Sequence, residues 1–305
     1  MNVLTFDIEE WYIEKTFYGD RPIYYDQYDH YLNSILDLLD ERHLKATFFC
    51  VGQMGAMFPE VVRKIFSKGH EIGCHSNIHT WLNKMNRDEA FEDTRQAIDS
   101  LQQCIGKKVL SYRAPAFSIG NDNLWAFEIL AECGIERDAS VYPAVRDFGG
   151  FSDFGQQIPS IVSYGDYNIK EFPICLTHIT GRDIAFSGGG YFRFFPLWYV
   201  KKVIHKNEYN MCYFHIGDLI REYDGILSKA DFERYFKESG SFKKRFLRYL
   251  KDNLGKGNAF KKMMSLVSSI DFINVEAADI CIEWEKAPTI RLKSGRDCNG
   301  GVASL

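Results

Sequence analysis

The sequence lacks the features that mark membrane, secreted and nucleic-acid-binding proteins. None of its apolar runs approaches the roughly 18 residues that a membrane-spanning helix needs. Its first residues, MNVLTFDIEEW, show neither the basic start nor the apolar stretch of a signal peptide. The formal net charge of -4 and the isoelectric point near 6.1 give no general attraction to nucleic acid. We therefore expect a cytoplasmic protein with no nucleic-acid partner.

Paired cysteines of the zinc-binding type are also missing. None of the eight cysteines stands in a C-x-x-C pair, and most lie in apolar runs such as ATFFCVG, EIGCHS and NMCYFH. Buried thiols that act as small hydrophobic side chains explain this distribution better than a disulfide framework or a zinc knuckle. The eight are Cys50, Cys74, Cys104, Cys133, Cys175, Cys212, Cys281 and Cys298.

The composition is that of a packed globular protein. Hydrophobic residues make up 46% of the 305 residues and charged residues 26%, so disorder is not expected. The length suits one barrel-sized domain or two small ones.

Short apolar runs alternate with helical patterns over roughly the first 215 residues. Glycines at 69, 106 and 134 stand where helix C-caps are expected. Alternation of this kind predicts parallel βα units, with a functional site at the carboxyl ends of the strands. The predicted strands are NVLTF, ATFFCV, HEIGCH, KVLSYR, EFPIC and NMCYFH.

Two later segments depart from this alternation. Residues 142–190 are rich in Gly, Ser, Asp and aromatics, which predicts long loops over the mouth of the sheet. Residues 228–267 have a helical pattern, and segment 241–262 holds eight basic residues and one acidic one. A solvated helix face is the simpler interpretation of this charge. Peripheral contact with an anionic membrane surface or a lipid-linked glycan, or contact with a second subunit in a homo-oligomer, is the alternative.

Two groups of side chains carry metal-site chemistry. His75 and His79, four residues apart after an apolar run, can face one ion from a single turn. Asp7 and Glu9 share a face of the first predicted strand because side chains alternate along a strand. One carboxylate can bind a metal while the other acts as a base. The alternative is that Glu9 and Glu10 end a strand in solvent.

Five motifs occur in order along the chain: Asp7-Ile-Glu9, His75-Ser-Asn-Ile-His79, Arg113-Ala-Pro-Ala-Phe117, Asp138-Ala-Ser-Val-Tyr-Pro143 and Tyr213-Phe-His215. This series resembles the motifs of the polysaccharide deacetylase family, carbohydrate esterase family four. The run Gly188-Gly-Gly-Tyr-Phe-Arg193 is similar to a branch of the family associated with exopolysaccharide loci. The resemblance covers roughly residues 3 to 218.

The resemblance implies an α/β fold, a deformed (β/α) barrel of about seven strands with a helical C-terminal extension. One domain would span residues 1–305, with its core at about 1–220 and the extension at about 221–305. Glu9, His75 and His79 would bind a divalent metal, with zinc preferred and Co²⁺ or Fe²⁺ also suitable.

The remaining motif residues would serve proton transfer. Asp7 would be the general base, oriented and kept ionised by Arg113. His215 would be the general acid, and Asp138 would hydrogen-bond it and favour its protonated form. Candidates for a sugar-binding groove are Trp11, Tyr12, Pro115, Phe117, Tyr191 and Arg193, with core packing as the alternative for the aromatics.

Two departures from the family pattern bear on activity. The family commonly has adjacent aspartates, whereas Glu9 stands two residues after Asp7, a spacing typical of the exopolysaccharide branch. That branch usually continues His-Pro-Trp-Glu, whereas this chain reads His215-Ile-Gly-Asp218. We expect the second change to affect substrate preference more than the metal site.

The expected function is metal-dependent removal of N-acetyl groups from amino sugars of a polysaccharide or lipid-linked glycan precursor. An amidohydrolase of the same fold that opens a cyclic ureide or imide is an alternative, which a small, closed apolar pocket would favour. A non-catalytic glycan-binding protein is a third interpretation, and the presence of all the motif residues counts against it.

Overall fold

A computed structural model of the chain describes residues 1–146, 149–179, 181–220, 225–236 and 238–293. Cys298 lies outside these ranges. Within them, every helix is too short or too polar to cross a membrane. The seven cysteines in these ranges are unpaired thiols, and five of them are buried, as the apolar runs predict.

The described residues form a nine-stranded sheet and a separate two-stranded hairpin. The order in the large sheet is β10-β1-β2-β3-β4-β5-β7-β6-β11, and β8 pairs with β9. From β10 to β7 all neighbours are parallel, whereas β6 runs antiparallel to β7. The strands are β1 (Asn2–Ile8), β2 (Thr47–Cys50), β3 (Glu71–Cys74), β4 (Ser111–Tyr112), β5 (Arg137–Asp138), β6 (Ser160–Tyr164), β7 (Tyr167–Glu171), β8 (Leu176–Ile179), β9 (Arg182–Ala185), β10 (Asn210–His215) and β11 (Thr289–Leu292).

Helices connect these strands, and their ends follow the sequence signals. Asn86 accepts a hydrogen bond from the Glu89 backbone while the Glu89 side chain returns one, so α5 begins with a capping box. Gly106 ends the same helix in the left-handed conformation. The helices are α1 (Glu10–Ile13), α2 (Pro22–Glu41), α3 (Gly52–Met57), α4 (Pro59–Ser67), α5 (Arg87–Ile105), α6 (Ala126–Glu132), α7 (Gly189–Phe194), α8 (Leu197–Lys206), α9 (Ile216–Leu219), α10 (Lys229–Phe236), α11 (Phe242–Asn253), α12 (Ala259–Val267) and α13 (Val275–Cys281).

The core lies at the central strands. β2 is buried at every position and β1 at all but its first, as expected where helices cover both faces of a parallel sheet. The ring of Phe6 stacks on Phe48 with centroids 5.0 Å apart and tilts against Phe214 at 6.1 Å. The α/β class and the deformed barrel with seven parallel strands are confirmed. The carboxyl ends of β1, β3 and β10 consequently meet at one edge.

The prediction of long loops over residues 142–190 is wrong. Four strands, β6 to β9, lie within that segment. β6 alternates buried and half-buried side chains, and two of its five residues are serines, so its apolar signal is weak. The predicted strand EFPIC is also displaced, because β7 ends at its first residue, Glu171.

The C-terminal segment is more than a helical extension. It contains α10 to α13, and β11 also pairs with β6 at the edge of the large sheet. The Leu4 backbone N–H donates to the carbonyl of Ile273 at 3.0 Å, which ties the segment to β1. A single domain over the chain stays a prediction, and these pairings support it.

Candidate active site

Glu9, His75 and His79 lie together at the carboxyl edge of the sheet. Their ligand atoms are all within 4.8 Å of one another. Glu9 follows β1 and His75 follows β3, while His79 adopts a left-handed backbone with φ of 58°. The Glu9 Oε2 atom is 3.5 Å from His75 Nε2 and 2.5 Å from His79 Nε2. Three donors converging in this way fit a divalent cation, and one carboxylate with two imidazoles suits zinc.

The backbone of Arg113 fixes the orientation of His75. The Nδ1 atom of His75 lies 2.7 Å from the carbonyl oxygen of Arg113, and the imidazole is buried. A carbonyl can only accept, so Nδ1 carries the proton and donates it. The Nε2 lone pair then faces Glu9 and His79, which is the tautomer that binds a metal.

The side chain of Arg113 binds the expected base. Its guanidinium is fully buried and donates to Asp7 Oδ1 at 2.8 Å and to Thr5 Oγ1 at 2.7 Å. Its Nε donates to the carbonyl of Ala139 at 3.1 Å. The guanidinium, fixed by three hydrogen bonds, holds Asp7 Oδ1, and the second oxygen, Oδ2, lies 3.4 Å from His215 Nε2. The structure thus brings together the base and the arginine that the motifs indicate.

His215 lies beside both carboxylates at the end of β10. Asp7 and His215 are register partners on neighbouring strands. The Nε2 atom of His215 is 3.4 Å from Asp7 Oδ2 and 3.9 Å from Glu9 Oε1, and its Nδ1 atom is 3.2 Å from Asp218 Oδ2. Burial alone would lower the pKa of His215, but Glu9 and Asp218 outweigh it and raise that pKa well above its usual range. A protonated imidazole at this place can donate a proton.

The expected hydrogen bond between Asp138 and His215 is wrong, and Asp218 takes that position instead. Asp138 and Glu171 are register partners on β5 and β7, so the two carboxyls meet behind the site. Ser140 Oγ also donates to Asp138 Oδ1 at 2.5 Å. Burial, together with the neighbouring carboxyl, raises the pKa of Glu171 well above its usual range. Asp218 had a signal in the sequence, since a residue three positions after a histidine can reach its ring.

Four of the residues expected in a sugar-binding groove lie in the core. Trp11 is 1% exposed and packs against Tyr28, with ring centroids 5.3 Å apart. Phe117 lies 5.0 Å from the ring of Tyr213 in an edge contact. Their apolar rings are used in packing, so they offer no open face to a pyranose. The residues corrected in this way are Trp11, Tyr12, Pro115 and Phe117, all of them buried. Tyr191 is 46% exposed, whereas Arg193 is 8% exposed.

A cavity of about 220 Å³ opens beside Glu9 and His215. The C-terminal segment supplies one of its walls, which sequence reasoning did not assign to the site. The sequence did carry one signal for this wall, because Arg245, Tyr249 and Asn253 are spaced by four and so lie on one side of a helix. The wall residues are Gly225, Leu227, Phe236, Arg245, Arg248, Tyr249, Asn253 and Lys256.

Comparison with known proteins agrees with the motifs. Residues 3–136 match the family model of polysaccharide deacetylases, and residues 139–278 match a domain of unknown function, DUF3473. A peptidoglycan-N-acetylglucosamine deacetylase of Bacillus cereus is 36% identical over 95 residues, 31% of this chain and 34% of the relative. A second B. cereus protein of the same name is 27% identical over 154 residues, 50% of this chain and 68% of the relative. The first of these matches therefore spans about a third of its relative's length.

A crystal structure from Mycobacterium smegmatis described as a polysaccharide deacetylase has the same fold. It superposes with a TM-score of 0.59 at 17% identity, covering 96% of this chain and 93% of that one. The fold and the clustered motif residues agree with the match of residues 3–136 to the family model of polysaccharide deacetylases.

Proposed function

We propose that this protein is a metal-dependent hydrolase that removes N-acetyl groups from amino sugars of a polysaccharide or a lipid-linked glycan precursor. The observation that carries the proposal is the placement of Asp7 and His215 on one side of the Glu9, His75 and His79 cluster. A base, an acid and three metal-ligand atoms lie within a few ångströms of one another. Hydrolysis of an amide needs this set.

Glu9, His75 and His79 would bind the ion, and zinc suits this donor set best. When bound, the ion supplies a polarised acetyl carbonyl and a water of lowered pKa. Burial alone would raise the pKa of Glu9, but His79 and His215 hold it well below its usual range. Glu9 is therefore a carboxylate at neutral pH, as a metal ligand must be.

Asp7 would take the proton of the attacking water. Arg113 orients its carboxylate through the 2.8 Å hydrogen bond. His215 would then give its proton to the departing amine as the acetyl group leaves. Asp218 stabilises the protonated imidazole from the Nδ1 side. The two proton-transfer groups are adjacent, so base and acid act on the same face of the substrate.

An acetylated amino sugar is supported by the names of the relatives and by the polar cavity wall. The B. cereus relatives are named as deacetylases of peptidoglycan N-acetylglucosamine. Arg245, Asn253 and Lys256 line the cavity, whereas a cyclic ureide or imide would call for a closed apolar pocket. The Asp7-x-Glu9 spacing and the Gly188–Arg193 run favour a glycan of exopolysaccharide synthesis.

The test is release of acetate from N-acetylglucosamine oligomers by the zinc-loaded chain. Asp7→Asn keeps the shape of the base but cannot accept a proton, so we expect a loss of about 10²–10⁴-fold. Zinc binding, measured by calorimetry, should remain, because the three ligands are intact. Asp26→Asn, an exposed carboxylate on α2, is the matched control and should stay fully active.

Three outcomes would contradict the proposal in different ways. Zinc binding without acetate release from any acetylated glycan would favour the cyclic amide. A chain that binds no metal would be a glycan-binding protein at most. An Asp7→Asn variant as active as the unmodified chain would remove Asp7 from the mechanism.

A further inference from the structure

Helix α11 presents two different faces. Arg245, Tyr249 and Asn253, spaced by four residues, line the cavity beside His215. Residues four apart lie on the same side of a helix, so these three define its inner face. The outer face of α11 lies about 100° further round the helix, because Phe246 and Leu250 directly follow Arg245 and Tyr249.

That outer face carries an apolar stripe. Phe242, Phe246, Leu250 and Leu254 are again four residues apart and are 64, 40, 37 and 52% exposed, and Leu247 beside them is 54% exposed. The rings of Phe242 and Phe246 stack, with centroids 6.2 Å apart and planes at 11°. Soluble proteins rarely expose a contiguous patch of large apolar side chains without using it.

Two further exposed aromatic side chains lie on the part of the chain that begins next to the end of α11. A Cβ atom at Gly255 would lie 3.0 Å from the Cβ of Arg193, so the chain after Leu254 runs against α7. The residue that follows Arg193 is Phe194, which is 58% exposed. Trp198 on the next helix is 67% exposed. Tryptophan is enriched where proteins meet the lipid headgroup region.

Positive charge flanks the stripe. Of the eight basic residues in segment 241–262, Lys243, Lys244 and Lys261 are exposed in the described part of the chain, whereas three others line the cavity. Lys243 and Lys244 lie between the two phenylalanines, and Lys244 also pairs with Glu238 at 2.8 Å. Long lysine side chains can reach headgroup phosphates while neighbouring rings enter the acyl boundary.

We propose that α11 docks the protein on an anionic lipid bilayer, with its apolar stripe in the headgroup region and its lysines on the lipid phosphates. Charge complementarity favours lipid over a second copy of the chain. The cores of protein interfaces are depleted of lysine, whereas basic amphipathic helices are typical of membrane surfaces.

The proposed docking requires no catalysis and stands apart from the proposed hydrolase activity. If both hold, the inner face of the docked helix forms a wall of the cavity next to the bilayer. A glycan linked to a membrane lipid would then reach His215 from that surface.

Cosedimentation of the full chain with lipid vesicles tests the proposal. We use vesicles of phosphatidylcholine alone and of phosphatidylcholine mixed with phosphatidylglycerol. The chain should bind the mixed vesicles more tightly than the neutral ones, and added salt should weaken the binding. Phe242→Ser/Phe246→Ser should reduce partitioning by at least about tenfold, since two exposed rings lose their contact with lipid.

Ile23→Ser/Ile280→Ser is the matched control, because these side chains are 73 and 81% exposed and lie on α2 and α13. This variant should partition like the unmodified chain. Circular dichroism checks that both variants fold. The proposal is overturned if the unmodified chain stays in solution with the mixed vesicles, or if the stripe variant binds them equally well. A dimer in light scattering that the stripe variant dissociates, without vesicle binding, would assign the face to a second copy.

Discussion

The Nδ1 atom of His215 lies 3.2 Å from the carboxylate of Asp218, three residues further along the chain. Asp218 stands where the exopolysaccharide branch usually has glutamate, so the shorter acid still reaches the imidazole. Burial alone would raise the pKa of Asp218, but the contact with His215 lowers it below its usual range. The pair is therefore imidazolium and carboxylate, which is the state a proton donor requires.

Asp218→Asn should move the alkaline limb of the pH–kcat profile to lower pH. The protonated form of His215 is the active one, so activity is present below its pKa and is lost as the pH rises through it. Removing Asp218 lowers that pKa, and on the alkaline limb the rate should fall about tenfold for each pH unit by which the limb moves. A pH–rate series measures this movement, with Asp26→Asn as control. An unchanged alkaline limb would exclude Asp218 as the partner of the acid.

Removal of the metal should abolish activity reversibly. We expect a chelator to inactivate the chain and zinc to restore it. His79→Ala deletes one of three ligands, so zinc affinity should fall by at least about a hundredfold. Substitution of a residue that only supports a ligand costs less than this. Calorimetric titration measures this loss. His178→Ala is the control, since that exposed histidine pairs with Asp183 away from the cluster. Equal zinc affinity in the two variants would refute the ligand assignment.

Arg113→Met should destabilise the fold as well as the site. It leaves the Asp7 carboxylate buried without its cation, and breaking a buried pair costs about 3–5 kcal/mol. Arg42→Met, which breaks a pair with the exposed Asp271, should cost at most about 1 kcal/mol. Urea denaturation gives both free energies of unfolding. Adding Asp7→Asn to Arg113→Met should recover part of the loss, and a double variant that is less stable than the single one would contradict this account.

Glu171→Gln should change how stability depends on pH. Folding raises the pKa of the Glu171 carboxyl. Such a group stabilises the folded protein at pH values below the pKa that the carboxyl has in the unfolded chain. This stabilisation is lost as the pH rises through the pKa of the carboxyl in the folded protein. Glutamine keeps both hydrogen-bond roles toward Val141 and Asp138 without ionising. The stability of the variant relative to that of the unmodified chain should therefore increase as the pH rises from acid to alkaline.

Thermal unfolding across that pH range gives the comparison. Glu136→Gln, an exposed carboxylate next to β5, should leave the pH dependence unchanged. Parallel curves for Glu171→Gln and the unmodified chain would show that Glu171 is ionised in the folded protein.

The central part of the fold was predictable because its strands are buried on both faces. Continuous apolar runs such as ATFFCV give a strong signal there. β5 has only two residues, and β6 faces solvent with every second side chain, so neither gives such a run. The residues of the metal-ligand cluster were predictable from their spacing. For His215 the spacing to Asp218 was a usable signal, whereas the direction in which Asp138 points depends on the pairing of β5 with β7 and could not be predicted.

The wall of the cavity was missed for a different reason. Arg245 and Tyr249 lie far along the chain from the motifs, and a basic helix gives the same pattern whether it faces solvent, lipid or a cavity. Only the packing of α11 against the barrel distinguishes these cases.

Arg113 holds the imidazole of His75 through its main-chain carbonyl and the carboxylate of Asp7 through its guanidinium. One residue from the middle of the sheet consequently positions both the expected base and a metal-ligand histidine. We expect substitutions among the wall residues of the C-terminal segment to alter which substrate fits without moving Asp7 or His75. The residues that would select the substrate are thus different from the residues that hold the base and the metal ligand, and either set can change without the other.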